Sequence, residues 1–163
     1  MPELEGSLDG AGLRVCVVVA RWNGFVTEKL LEGAVSCLRE RGLRPDDITV
    51  ARVPGAFEVP TAAKWAAESG RFDAVVCLGA VIRGDTAHFE YVAGGATQGI
   101  RQVSHETGVP VIFGVLTVDS VEQAMARAGG KDGHKGEEAA QAAIEMANLR
   151  RLLAGSEAGR RDS

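Results

Sequence analysis

The sequence predicts an α/β fold, a three-layer α-β-α sandwich in which helices cover both faces of a parallel sheet of about four strands. Two observations carry that expectation. Apolar runs of strand length alternate with longer stretches whose apolar residues recur at helical spacing, and parallel strands need such crossovers. The runs are also continuous: Val15-Cys16-Val17-Val18-Val19-Ala20 and Ala74-Val75-Val76-Cys77-Leu78 have no polar face, as expected of strands covered on both sides.

In chain order, residues 13–20 read as a central strand. Over 27–41, Leu30, Leu31, Ala34, Val35 and Leu38 fall on one helical face, with Gly42 as a stop. Residues 48–53 form a second strand, broken by Pro54-Gly55. A helix over 58–69 tolerates Pro60 in its first turn and ends at Gly70. The third strand is 74–78. The segment that follows the stretch 79–92 is helical to about residue 107, and Gly94, Gly95 and Gly99 either weaken that helix or mark close packing. A fourth strand covers 109–115, and a short helix covers 121–128, with Ser120 and Gln123 as a capping box. Gly129-Gly130-Lys131-Asp132-Gly133 reads as a flexible kink before a long helix over 136–153. Residues 13–153 thus make a single α/β domain. Residues 1–12 are an arm that could add to a neighbour's sheet edge, and 154–163 are expected to be a disordered tail.

Composition limits the functions available. A chain of 163 residues suits one domain with a real core, and a net charge of -4 offers no basic field for nucleic acid or an anionic membrane. No apolar run approaches the roughly 20 residues of a membrane span, and 1–12 lack the pattern of a signal peptide, so a cytoplasmic protein is expected. Cys16, Cys37 and Cys77 form no Cys-x-x-Cys pair and read as small buried hydrophobes. His105-Glu106 lacks the second histidine of a zinc motif, because Val109 stands there, and Lys135-Gly136 lacks the hydroxyl of a P-loop. Neither a metal nor a cofactor is expected.

In open α/β sheets ligands gather at the carboxyl ends of the strands. The most informative stretch lies there: residues 79–92, Gly-Ala-Val-Ile-Arg-Gly-Asp-Thr-Ala-His-Phe-Glu-Tyr-Val. Gly84 allows close approach, Asp85 and Thr86 offer capping oxygens and amides, and the positive end of the next helix favours a phosphate. One turn on, His88 is suited to proton transfer near neutral pH. Elsewhere Trp22 can stack on a heteroaromatic ring, Glu58 can accept bonds from hydroxyls, and Arg127 and Lys135 can meet a phosphate. Taken singly, each of these residues has an ordinary structural explanation.

Together the segments 21–23, 53–60, 79–92, 113–117, 122–129, 135–140 and 143–149 resemble lumazine synthase, from about residue 4 to residue 153. The resemblance implies a flavodoxin-like sheet and condensation of a ribitylamino-pyrimidinedione with 3,4-dihydroxy-2-butanone 4-phosphate. By the same resemblance Trp22 stacks on the pyrimidine, while Ala56, Phe57 and Glu58 line the ribityl chain. Ala80, Val81 and Ile82 bind the ring edge, and Phe113 lies over the pyrimidine from a neighbouring subunit. Lys135 and Glu138 complete the wall. Gly84, Asp85, Thr86 and Arg127 hold the phosphate, and His88 moves protons. It further implies a homo-oligomer, a pentamer assembling into an icosahedral 60-mer, with the site at a subunit interface and riboflavin synthase as a partner. Two positions depart from the family pattern. Val118 replaces a commoner polar residue, and His134 stands where the family usually carries Asn, which keeps a local hydrogen-bonding side chain and could add pH sensitivity. Competing readings are a flavin-binding module that does no chemistry, a container with a decayed site, and the archaeal type of riboflavin synthase.

Overall fold

The computed structural model describes residues 1–155. Its centre is β1, Val15–Ala20, every residue of which is buried. Strand alternation sends Val15, Val17 and Val19 to one face and Cys16, Val18 and Ala20 to the other, so β1 contributes to two separate cores. On the first face pack α1, Gly24–Glu40, and α5, Lys135–Leu153; on the second pack α2, Val59–Glu68, and α3, His88–Thr107. With β2, Ile48–Val53, β3, Ala74–Ile82, and β4, Val111–Val118, the strands form a four-stranded parallel sheet of order β2-β1-β3-β4. This is the three-layer, flavodoxin-like sandwich that the sequence predicts.

Several boundaries move, for identifiable reasons. β1 begins at Val15, with Leu13 buried just ahead of it. α1 starts at Gly24 rather than 27, because Asn23 takes a left-handed conformation (φ 64) and its carbonyl accepts from the amides of Val26 and Thr27. Ala56–Glu58 form a 3-10 turn, so the expected helix start at Glu58 becomes the cap of α2. β3 runs on to Ile82 because β4 keeps pairing with it, up to Ile82 opposite Val118; residues 79–82 are therefore strand rather than loop. β4 starts at Val111, after Gly108 (φ 71) has closed α3. The glycines inside α3 prove to be contact points: a Cβ at Gly95 would lie 2.6 Å from the Phe57 ring, and one at Gly99 would lie 2.7 Å from Pro60.

The short helix α4, Val121–Ala126, ends two residues earlier than expected, and its capping box is shifted. Ser120 Oγ accepts from the Gln123 amide at 3.1 Å, but Gln123 Oε1 accepts from the amide of Asp119, not of Ser120. The glycine-rich run is no flexible kink. It builds an antiparallel pair, β5, Ala128–Gly130, with β6, Gly133–His134, in which Gly129 (φ 99) and Gly133 (φ 100) take conformations that other residues resist.

Residues 1–5 are exposed, whereas Gly6 and Gly10 are buried. Asn148 on α5 donates to the carbonyls of Ser7 and Asp9 at 2.9 Å, which ties that part of the arm to its own chain. Of the expected tail, Ala154 and Gly155 form a turn after α5, and 156–163 lie outside the described residues. All three cysteines are buried free thiols, and burial pushes Cys16 up to about 11, which suits space-filling rather than reactivity. Among the described residues no helix is long and apolar enough to cross a membrane.

Candidate active site

An opening forms where β3 outruns its neighbour. Pairing between β1 and β3 stops at Val19 opposite Leu78, so beyond that point the edge of β3 that faced β1 is unpaired. Asn23 Nδ2 reaches across to the Ala80 carbonyl at 2.8 Å and pins the β1–α1 turn against it. The turn is held on its other side as well, since the amides of Arg21 and Trp22 donate to Val53 and Pro54 at 2.8 and 3.0 Å. The backbone of Trp22 is thereby fixed while its side chain stays 74% exposed. A rigidly mounted, exposed indole face is what stacking on a planar ligand requires.

Two more segments complete this wall. After β2, the 3-10 turn buries Ala56 and leaves Phe57 and Glu58 exposed, with Phe57 lying against Gly95 of α3. After β3, the exposed loop of Gly84, Asp85 and Thr86 leads into α3. Ala87 occupies the N-cap without a capping side chain, and Thr86 Oγ accepts only the His88 amide, at 3.3 Å. The start of a 20-residue helix thus presents amides and its positive dipole end beside His88.

These groups line two confluent hollows. One, of about 150 Å³, includes Trp22, Ala56, Ala80, Val81, Ile82, Gly84, Thr86 and His88. The other, of about 440 Å³, includes Trp22, Ala56, Phe57, Glu58, His88 and Tyr91. Trp22 and His88 belong to both, so the two make one cleft. Asp85 lines neither, and its carboxylate would repel a phosphate; any contribution there falls to its backbone amide.

Phe113, Arg127, Lys135 and Glu138 lie elsewhere. They line a second cleft of about 360 Å³ along the free edge of β4, walled also by Thr117 and Asp132. Arg127 Nη1 donates to the Gln123 carbonyl at 3.0 Å and lies 3.8 Å from Asp132 Oδ2, while the Lys135 amide donates to the Arg127 carbonyl at 2.8 Å. His134 Nδ1 accepts from the amides of Gly136 and Glu137 at 3.1 and 3.3 Å, and so caps the helix that carries Lys135 and Glu138. Among the described residues the two clefts share none, so within one chain the expected phosphate set divides, with Gly84, Asp85 and Thr86 on one side and Arg127 on the other.

Sequence reasoning missed several participants. Asn23 and Phe89 line the smaller hollow and Tyr91 the larger, although nothing in their spacing singles them out, and Arg83, which lines neither, precedes Phe89 and Tyr91 in the chain. Arg83 bonds Asp119 Oδ1 through Nε at 2.9 Å and Glu90 Oε1 through Nη1 at 2.6 Å, with its guanidinium 4.3 Å from the centre of the Phe89 ring. The hydrogen bonds to Asp119 and Glu90 raise the Arg83 pKa, and the bond from Arg83 holds the Glu90 carboxyl below the usual range. With the geometry in view, a family model described as 6,7-dimethyl-8-ribityllumazine synthase matches residues 12–151.

Proposed function

This chain belongs to the lumazine synthase family of transferase enzymes, and we propose that it joins 5-amino-6-(D-ribitylamino)uracil to 3,4-dihydroxy-2-butanone 4-phosphate, forming 6,7-dimethyl-8-ribityllumazine for riboflavin biosynthesis. The observation that carries this reading is that Trp22, His88 and, from the loop that leads into α3, Gly84 and Thr86 line one cleft. A stacking ring, a proton carrier and an anion cradle are the parts that such a condensation needs.

The amine on the pyrimidine attacks the ketone, and water leaves as the imine forms. Loss of phosphate then gives an enol, which tautomerises; the ribitylamino nitrogen closes the ring with loss of a second water. Each step relocates protons, and His88 is the imidazole in the cleft that can take and return them. Phosphate departs more readily when its charge is already met by the amides of Gly84–Thr86 and by Arg127. Holding two reactants in attacking geometry is worth on the order of 7–11 kcal/mol, against roughly 3–5 for acid–base help, so the walls matter at least as much as the imidazole.

Arg127 lies in the other cleft, so this mechanism requires the β4 edge of a second copy beside the first cleft. That copy supplies Phe113 above the pyrimidine, with Arg127, Lys135 and Glu138 closing the wall. The assembly we propose is a pentamer, twelve of which form an icosahedral shell in the cytoplasm, with the exposed start of the arm, residues 1–5, adding to a neighbour's sheet edge and riboflavin synthase consuming the product. Sedimentation under physiological pH and phosphate that found only free pentamers would refute the shell. For the reaction, purified protein is mixed with both substrates while lumazine absorbance and released phosphate are followed. Equal, enzyme-dependent appearance of both is expected, and binding without turnover would favour a flavin-precursor binding module instead.

A further inference from the structure

We infer that Arg83 is the positioning residue that holds His88 and the phosphate loop in register with the sheet, an inference resting on the proposed reaction for its kinetic consequence. Residues 84–87 are exposed, and the bonds within this turn are local: Thr86 Oγ to the His88 amide, and the Ala87 carbonyl to the Glu90 amide at 3.1 Å. Local bonds shape the turn without fixing where it stands. Phe89 packs against the core beneath, but among the described residues the hydrogen bonds that reach beyond the turn come from Arg83. Its amide donates to the Val118 carbonyl at 2.9 Å, its Nε to Asp119 just beyond β4, and its Nη1 to Glu90 in the first turn of α3.

One side chain therefore ties the end of β3, the end of β4 and the start of α3. Its guanidinium carbon also lies over the ring of Phe89, which lines the smaller hollow beside His88. Glu90 and Phe89 are the two residues after His88, so their anchoring fixes the helical turn from which the imidazole projects. A guanidinium can do this because its donors diverge in one plane whose face remains free for stacking. The single ammonium of lysine cannot make both bonds and stack. Arg83 lines none of the clefts at this end of the sheet, so its action is on the groups that do.

Exposed ion pairs contribute little to global stability, whereas a misplacement of about 1 Å in a reacting group costs about 10²-fold in rate. The expected signature is lost turnover in a folded, assembled protein. In full-length, assembled R83Q and R83K, kcat with both substrates saturating is expected to fall about 10- to 100-fold. KM for the pyrimidine should stay within about threefold, because Arg83 does not touch the Trp22 wall, and the thermal midpoint should be nearly unchanged. Adding Glu90→Gln and Asp119→Asn to R83Q should cost no further rate. A kcat within twofold of wild type in R83Q, full rescue by R83K, or additive losses would overturn the inference. Amide exchange across residues 84–90 reads the same role without catalysis: R83Q should exchange faster there and nowhere else, and unchanged exchange would overturn it even if the wild type proved inactive. Inactive wild type with Arg83-dependent exchange would instead count against the proposed reaction.

Discussion

The two clefts are opposites in chemistry. The one at the ends of β1, β2 and β3 has an exposed indole, an imidazole and helix-start amides, but among the described residues no lysine or arginine lines it. The one along β4 has Arg127 and Lys135 with Asp132 and Glu138, and no histidine. The imidazole and the cationic side chains thus lie on opposite sides of the β3–β4 pair. The fold itself imposes this separation. β4 is an edge strand, and its unpaired side faces away from the β1–β3 opening.

The largest expected effects test each side of that division. His88→Ala should lower kcat about 10²-fold, since acid–base groups contribute roughly 10²- to 10⁴-fold and substrate positioning survives the change. Arg127→Ala removes a charge-assisted contact worth about 1.5–3 kcal/mol and should act mainly on kcat/KM for the phosphate substrate, about 10- to 100-fold. Co-assembling the two variants sharpens the comparison. If each site joins two copies, random mixing restores about a quarter of the sites with both groups intact. No recovery above the parents would show that the clefts do not work together across copies. Trp22→Ala should be milder, raising KM for the pyrimidine several-fold, as a stacking contact worth about 0.5–1.5 kcal/mol implies; an unchanged KM would remove Trp22 from the site.

How much of this the sequence displays depends on whether the cause is local. β2 is legible to the residue, because Pro54-Gly55 stops it from within. The far end of β3 is not, because Val118 decides that Ile82 stays in the sheet, and nothing near Ile82 reports that pairing. Glycine is ambiguous in the same way. At 129 and 133 it marks an ordered turn, and at 95 and 99 it marks contact with Phe57 and Pro60, although composition alone suggests slack. Trp22, Glu58 and His88 stand out by residue type and by their place at strand ends. That Arg127 lies apart from Gly84–Thr86 within one chain emerges only from the folded strand order.

A smaller effect concerns how firmly the β4-side cleft is mounted. His134 Nδ1 satisfies two amides at the start of α5, and loss of such a cap costs about 0.5–2 kcal/mol. His134→Ala should lower stability by about that amount, measured by denaturant unfolding. His134→Asn, whose oxygen also accepts, should recover most of it. Equal losses in the two variants would mean that packing of the imidazole against Gly33, and not capping, is what matters.

The smallest effect lies on the other side, at the pair that anchors α3. Glu90 is held ionised by its hydrogen bond from Arg83, so its folded pKa lies below the ordinary 4.5. A depressed carboxyl pKa stabilises the folded arrangement fully above that ordinary value and ceases to do so as pH falls through the depressed one. The pair is exposed, so solvent screening keeps its share of global stability slight and its consequence local. Amide exchange in the first turn of α3, corrected for intrinsic rate, should therefore quicken below about pH 4.5 while the β1 amides stay protected. Glu90→Gln should already exchange at the fast level at neutral pH and show no such step. A step that persisted in Glu90→Gln would assign the acid response to another carboxylate, Asp119 being the nearest alternative on the same guanidinium.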